Sequence, residues 1–194
     1  MRLAALVILL SALLPSVSFA QDVPVFAITP VESTIKFNVA ASVPINGTFG
    51  KWNATLTFTS PDVTTAVLDV EIQAATVDTG SGLKNGKLKG PDFFDVLNNP
   101  LITFKSTKIV QTGPTTFEVD GNFTIRGVTR AENLTLEISG KGTGSGEIRG
   151  TLYFDRKDYG MNSGIPFIKI ANRVEVNVAL KAKRVSGPPV VFKQ

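Results

Sequence analysis

Three sets of residues in this sequence could do chemistry. Asp92 and Asp95 flank Phe93 and Phe94, and Arg156 stands two residues after Phe154. Phe37, Phe49, Trp52, Leu56, Phe58, Phe104, Phe123 and Phe154 recur at one parity of alternating apolar runs. A carboxylate pair works on a glycoside only with one raised pKa and a sugar cleft, and nothing nearby supplies either. Asp92 and Asp95 therefore read as acidic residues at the start of a short helix. Phe93 and Phe94 suit two roles equally, anchoring that helix or plugging an opening. Arg156, continuing the inward parity of Phe154, needs a carboxylate or several carbonyls when buried. Asp158 shares its parity and offers a local ion pair; the alternative is a clamp on a ligand head group. The apolar stripe can fill a core or line a tunnel.

Histidine and cysteine are both absent. That excludes Ser-His-Asp and Cys-His catalysis, thiolate nucleophiles and zinc knuckles. No catalytic residue, metal ligand set or cofactor motif emerges, so the chain reads as a non-enzyme without cofactor. The formal charge of +4 comes from 20 basic and 16 acidic residues. The basic residues are scattered and form no stripe with interleaved aromatics, which argues against nucleic acid. Lys141 to Gly146 looks like a phosphate loop only in its glycines, lacking a Gly-Lys-Ser/Thr ending and a following helix.

The elements that must position the stripe are strands. Leu68, Val70 and Ile72 alternate with Asp69, Glu71 and Gln73; Phe117, Val119, Gly121, Phe123 and Ile125 alternate with Glu118, Asp120, Asn122 and Thr124. Period-two alternation gives one apolar and one wet face, the mark of an antiparallel sheet. Strands are expected over 33–41, 45–59, 66–74, 101–110, 115–125, 128–139, 145–155 and 173–184. Within 45–59 the phase changes, with Ile45, Gly47 and Phe49 odd but Trp52, Ala54, Leu56 and Phe58 even. A one-residue slip flips every side chain, so a bulge at Gly50 or Lys51 is needed to keep one apolar face. Arg126-Gly127 predicts a tight hairpin. The stretch 78–99 breaks the alternation and reads as a crossover with short helical turns; 157–167 is a second irregular piece. Eight strands of about ten residues, each about 33 Å long, suit an all-β barrel that can hold one small ligand. Small residues share the inward parity (Gly47, Ala54, Ala74, Ser106, Gly121, Gly146 and Gly150), which predicts a ribbon of free volume between the aromatics.

Residues 1–20 stand apart. Arg2, the apolar run Leu3 to Leu14, and Ser18-Phe19-Ala20 make a secretory signal peptide, cleaved after Ala20. Residues 21–194 then form one domain, without stable membrane insertion once the leader is gone, because no other stretch approaches a transmembrane length.

Ser33-x-Ile35-x-Phe37, Gly47-x-Phe49 and Ala54-x-Leu56-x-Phe58 resemble the opening of the YceI-like family. Lys87-Leu88-Lys89-Gly90-Pro91-Asp92-Phe93-Phe94-Asp95 followed by Asn99-Pro100-x-x-x-Phe104-x-Ser106 is the most specific block. Val119-x-Gly121-x-Phe123-Thr124-Ile125-x-Gly127-Val128-Thr129 and Arg156-x-Asp158-Tyr159-Gly160 complete the series in the family's order. The resemblance implies an exported bacterial, usually periplasmic, eight-stranded lipocalin-like barrel with a short helical crossover between the third and fourth strands. It implies binding of a long amphiphile inside: a polyisoprenoid, an isoprenoid quinone or a fatty-acid derivative. The histidines that many members carry near the first strand and the crossover are replaced by Asn38-Val39-Ala40 and Gly86-Lys87-Leu88. The commoner Asp-Phe-Gly is Asp158-Tyr159-Gly160.

The expected ligand contacts are Phe37, Phe49, Trp52, Leu56, Phe58, Phe93, Phe94, Phe104, Phe123, Phe154 and Arg156, around one elongated cavity. The expected role is to sequester or transport a long-chain isoprenoid or other lipid. A filled, ligand-free protective barrel, a lipocalin-like isomerase or cyclase, and a homodimer stay open on the sequence.

Overall fold

The computed structural model describes residues 22–164 and 169–193. The leader expected over 1–20, and part of the irregular piece expected over 157–167, lie outside the described residues. The strands are β1 (Val25–Ile28), β2 (Thr34–Ala41), β3 (Ile45–Phe49), β4 (Trp52–Thr57), β5 (Val67–Gln73) and β6 (Val77–Asp78). A single α-helix among the described residues, α1 (Gly82–Lys89), leads on to β7 (Leu101–Gln111) and β8 (Thr116–Ile125). β9 (Val128–Ile138), β10 (Ser145–Asp155) and β11 (Ile170–Ser186) complete the chain. All strands pair antiparallel in one sheet, ordered β4-β5-β7-β8-β9-β10-β11-β2-β3-β6, with β1 also on β11.

Among the described residues eleven strands replace the expected eight: the expected strand 45–59 is divided into β3 and β4, and β1 and β6 lie outside the expected stretches. β1 and β2 run along the same side of β11, at Ala182–Ser186 and Ile170–Ala179, with a 3-10 turn between them. Ser33 stitches that bend: its hydroxyl donates to the Thr29 carbonyl at 2.7 Å and accepts from the Lys181 amide at 2.8 Å. β5 and β6 are separated by the 3-10 turn Ala74–Thr76. β3 and β4 are separated by Gly50 and Lys51, whose amides reach Thr76 O and Oγ1 at 3.1 and 3.0 Å. β3 pairs β2 and β6 while β4 pairs β5, so the two ends of the hydrogen-bonded path belong to one stretch of chain. The sheet thus curls into a barrel. Its seam lies where β1 rests against β4 without a ladder. β1 was not foreseen; its four residues are at most half-buried and carry little pattern.

The phase change falls where the parity requires it. Phe49 pairs with buried Val77 and Trp52 with buried Ile72, so both rings face the core on either side of the break. Arg126 and Gly127 both have positive φ, 53° and 72°, and join β8 to β9 in a two-residue turn. Such a turn matches the right-handed twist of the strands.

The core is the barrel interior. Ile35, Leu68, Val119 and Leu180, from four different strands, are each at most 2% exposed and form its packed middle. No helix among the described residues is long and apolar enough to cross a membrane.

Candidate functional site

The mouth of the barrel, on the α1 side, holds a cavity of about 70 Å³. Phe37 of β2, Phe49 of β3, Phe123 of β8 and Phe154 of β10 form much of its wall. Leu88 of α1 and the following Phe93 and Phe94 cover it from above. The covering stretch is a compact set of turns. Ser81 caps α1, Gly90 and Pro91 stop it, and the Phe94, Asp95 and Val96 amides bond back to the Leu88, Gly90 and Lys89 carbonyls at 2.9, 2.9 and 3.1 Å. This lid drops Phe94 between two wall rings, with centroids 6.3 Å from Phe37 and 5.9 Å from Phe49.

Contrary to the expectation that they begin a short helix, Asp92 and Asp95 follow one, α1. Asp95 sits at φ 49°, and its carboxylate accepts from the Asn98 and Asn99 side chains at 3.0 and 3.1 Å, which fixes the turn. Asp92 pairs with Lys87, and that contact above all holds its carboxyl below the ordinary aspartate range. Both acids shape the lid.

Arg156 is buried at the cavity's rim, but the ion pair expected with Asp158 is not formed. The strand ends at Asp155 and a 3-10 turn, Arg156–Tyr159, begins, so the parity linking 156 to 158 does not continue. Carbonyls take the guanidinium instead: Nε donates to Ala171 O and Nη1 to Ser163 O, both at 3.1 Å, with Met161 O also accepting from Nη1. No carboxylate among the described residues neutralises it.

The same turn supplies a residue the parity reading missed. The β9–β10 ladder stops at Leu134 and Leu152 although both strands run on toward the mouth. Tyr159 packs on Phe123 and Phe154 and is fully buried beside that gap. Its hydroxyl donates to Glu132 Oε1 at 2.7 Å, and burial followed by that carboxylate pushes its pKa up. Arg126 was missed too. From its hairpin tip, Nη2 donates to Pro91 O at 2.9 Å and Nη1 to Gly160 O, latching the lid to the turn after β10. No local pattern signals either contact, since each spans about thirty residues of chain.

Leu56 and Phe58 lie elsewhere. They line a second cavity of about 120 Å³ at the far end, with Phe26, Ile138, Ile148 and Phe192. The stretch after β11 closes that end: the Val191 amide bonds Pro61 O at 2.8 Å, and Phe192 packs on Phe117. The two cavities share no lining residue. Trp52 and Phe104 line neither.

The single elongated cavity expected from the sequence is therefore corrected to two small ones separated by packed core. The inward glycines leave no free ribbon because neighbours lie over them. A Cβ on Gly47 would overlap the Phe37 ring, one on Gly121 the Phe104 ring, and one on Gly150 the Leu136 side chain. Aromatic side chains covering strand glycines are a known way of filling such positions.

A YceI-like domain model matches residues 26–182. A UPF0312 protein of Pseudomonas savastanoi is 31% identical over 98 residues, 50% of this chain and 51% of that protein. One from Azotobacter vinelandii is 28% identical over 96 residues, 50% of each. The chain thus matches about half the length of these relatives. Among solved structures, BcnA of Burkholderia cenocepacia superposes with a TM-score of 0.72 at 22% identity, covering 80% of this chain and 99% of that one. A polyisoprenoid-binding domain from Saccharophagus degradans gives 0.66 at 14%, covering 83% and 99%. At these identities the likeness is one of fold.

Proposed function

The chain belongs to the YceI-like family, and from that membership we propose that it is an exported, non-enzymatic carrier of an elongated amphiphile. The ligand is a polyisoprenoid, an isoprenoid quinone or a fatty-acid derivative, taken into the barrel through its mouth. The observation that carries the reading is the mouth cavity: an aromatic wall, a lid with two phenylalanines, and at the rim a buried cation whose partners among the described residues are all carbonyls. Hydrocarbon is held by area burial at about 25 cal/mol per Å², which asks for no catalytic group. Arg156 suits an oxygen-rich head group, since a guanidinium has five N–H donors and its bonds to described residues leave from Nε and Nη1. Export and a periplasmic place rest on the leader-like residues 1–20.

A cavity of about 70 Å³ is smaller than the roughly 150 Å³ known to hold one benzene ring. Binding therefore requires the lid to move outward, taking Leu88, Phe93 and Phe94 with it. Titration with geranylgeraniol tests this through Trp52, the one tryptophan of the chain, which pairs with cavity-lining Ile72. A saturable emission shift is expected, reached faster in Phe94→Ala.

The small cavities and packed middle favour one second reading, a ligand-free protective barrel. Under it neither protein responds to the lipid.

A further inference from the structure

The lid and the neighbouring turn also carry apolar side chains turned to solvent. Leu83 is 87% exposed and Leu97 94% exposed, at opposite ends of the lid, and Val43 on the neighbouring β2–β3 turn is 50% exposed. Lys84 ties these parts together, its Nζ donating to Pro44 O at 3.3 Å, while the Val96 amide bonds Lys89 O at 3.1 Å. On α1, Leu83 and Leu88 are five positions apart, about 140° around the helix. With Leu88 buried over the cavity, Leu83 faces away from the barrel. α1 carries Lys84, Lys87 and Lys89 and no acidic residue. Asp92 neutralises Lys87; among the described residues no carboxylate pairs Lys84 or Lys89. A Cβ at Gly82 or Gly86 would have nothing within 4 Å, so packing does not demand glycine there, and two glycines weaken an eight-residue helix.

We propose that the lid docks on the surface of a bilayer containing anionic lipid, with Leu83, Leu97 and Val43 entering the interface and Lys84 and Lys89 meeting the head groups. Exposed aliphatic residues beside unpaired lysines are the combination that binds such surfaces. Docking would place the phenylalanines that cover the cavity next to the only phase in which a long isoprenoid dissolves. That purpose rests on the carrier reading, but the docking itself is measurable without cargo.

The test is vesicle flotation of the chain from Gln21 on, which contains every described element. Vesicles are phosphatidylethanolamine with or without phosphatidylglycerol. Wild type should float with the anionic vesicles, less so as salt rises. Leu83→Ser with Leu97→Ser should lower the bound fraction about tenfold. Val31→Ser, at a 95% exposed site on the turn between β1 and β2, should change nothing. Neither leucine is buried, so melting should be unaffected, which separates lost docking from lost folding. Wild type that stays in solution, or a double variant that floats like wild type, overturns the proposal. Trp52 titration with geranylgeraniol runs alongside: lipid uptake without flotation sinks docking alone, and flotation without uptake sinks the carrier reading alone.

Discussion

Tyr159 plugs the place where two strands part, and among the described residues its hydroxyl has one partner, Glu132. Replacing it with Phe removes that bond and should cost about 1 kcal/mol in denaturant titration at neutral pH. Folding raises the phenol pKa, so the stability tied to its proton is present below the ordinary tyrosine value of about 10 and is lost as pH rises beyond it. Wild type should therefore lose stability more steeply than Tyr159→Phe above that pH; parallel alkaline melting curves would refute the assignment. Gly121 gives a second residue-scale outcome. The sequence placed free volume there, whereas the Phe104 ring occupies it. Gly121→Leu should therefore destabilise the fold by about 1–3 kcal/mol, rather than merely displace a lipid. Parity told which side each aromatic faces, but not how deep it sits or what covers its neighbour. Phe104 and Trp52 show the limit: both face inward, and neither lines the mouth cavity or the far-end cavity. Arg156 shows another, because its partners are backbone carbonyls, which no residue type announces.

The break at Gly50–Lys51 divides β3 from β4 and brings the ends of the sheet together. Deleting Lys51 would put Trp52 and the β4 side chains out of phase with Phe49. The deleted chain should not give a cooperative thermal transition by circular dichroism; a wild-type-like melt would show that the bulge is dispensable. This bend was legible because hydrophobic phase is a local property of sequence. The bends at Pro30–Glu32 and Ala74–Thr76 were not, because β1 and β6, of four and two residues, are too short to establish a phase against their neighbours. α1 carries two glycines and is a weak helix by composition, so Gly86→Ala should firm it by about 1 kcal/mol. Stopped-flow uptake of geranylgeraniol, followed through Trp52, should slow in that variant and quicken in Arg126→Ala, which loses the latch to Pro91. Equal rates in all three proteins would mean that the lid does not gate entry.

At the scale of the whole molecule, the all-β barrel and its eight stretches of strand were legible because alternation and turn residues agree along the chain. Cavity shape was not. It depends on which rotamer each large side chain adopts over a glycine on the next strand, and that is decided across strands rather than along them. The result is a barrel covered at both ends: by the lid at the mouth, and by the stretch carrying Phe192 at the far end. Such a barrel is either a carrier in its shut state or a filled module. The most direct measurement is mass spectrometry of a solvent extract from protein expressed with its leader and purified from the periplasm without detergent. The account predicts one class of chain-like amphiphile at roughly one molecule per protein, as expected when the mouth cavity is the binding site. An extract with no lipid, from protein whose Trp52 emission also ignores added geranylgeraniol, would contradict it.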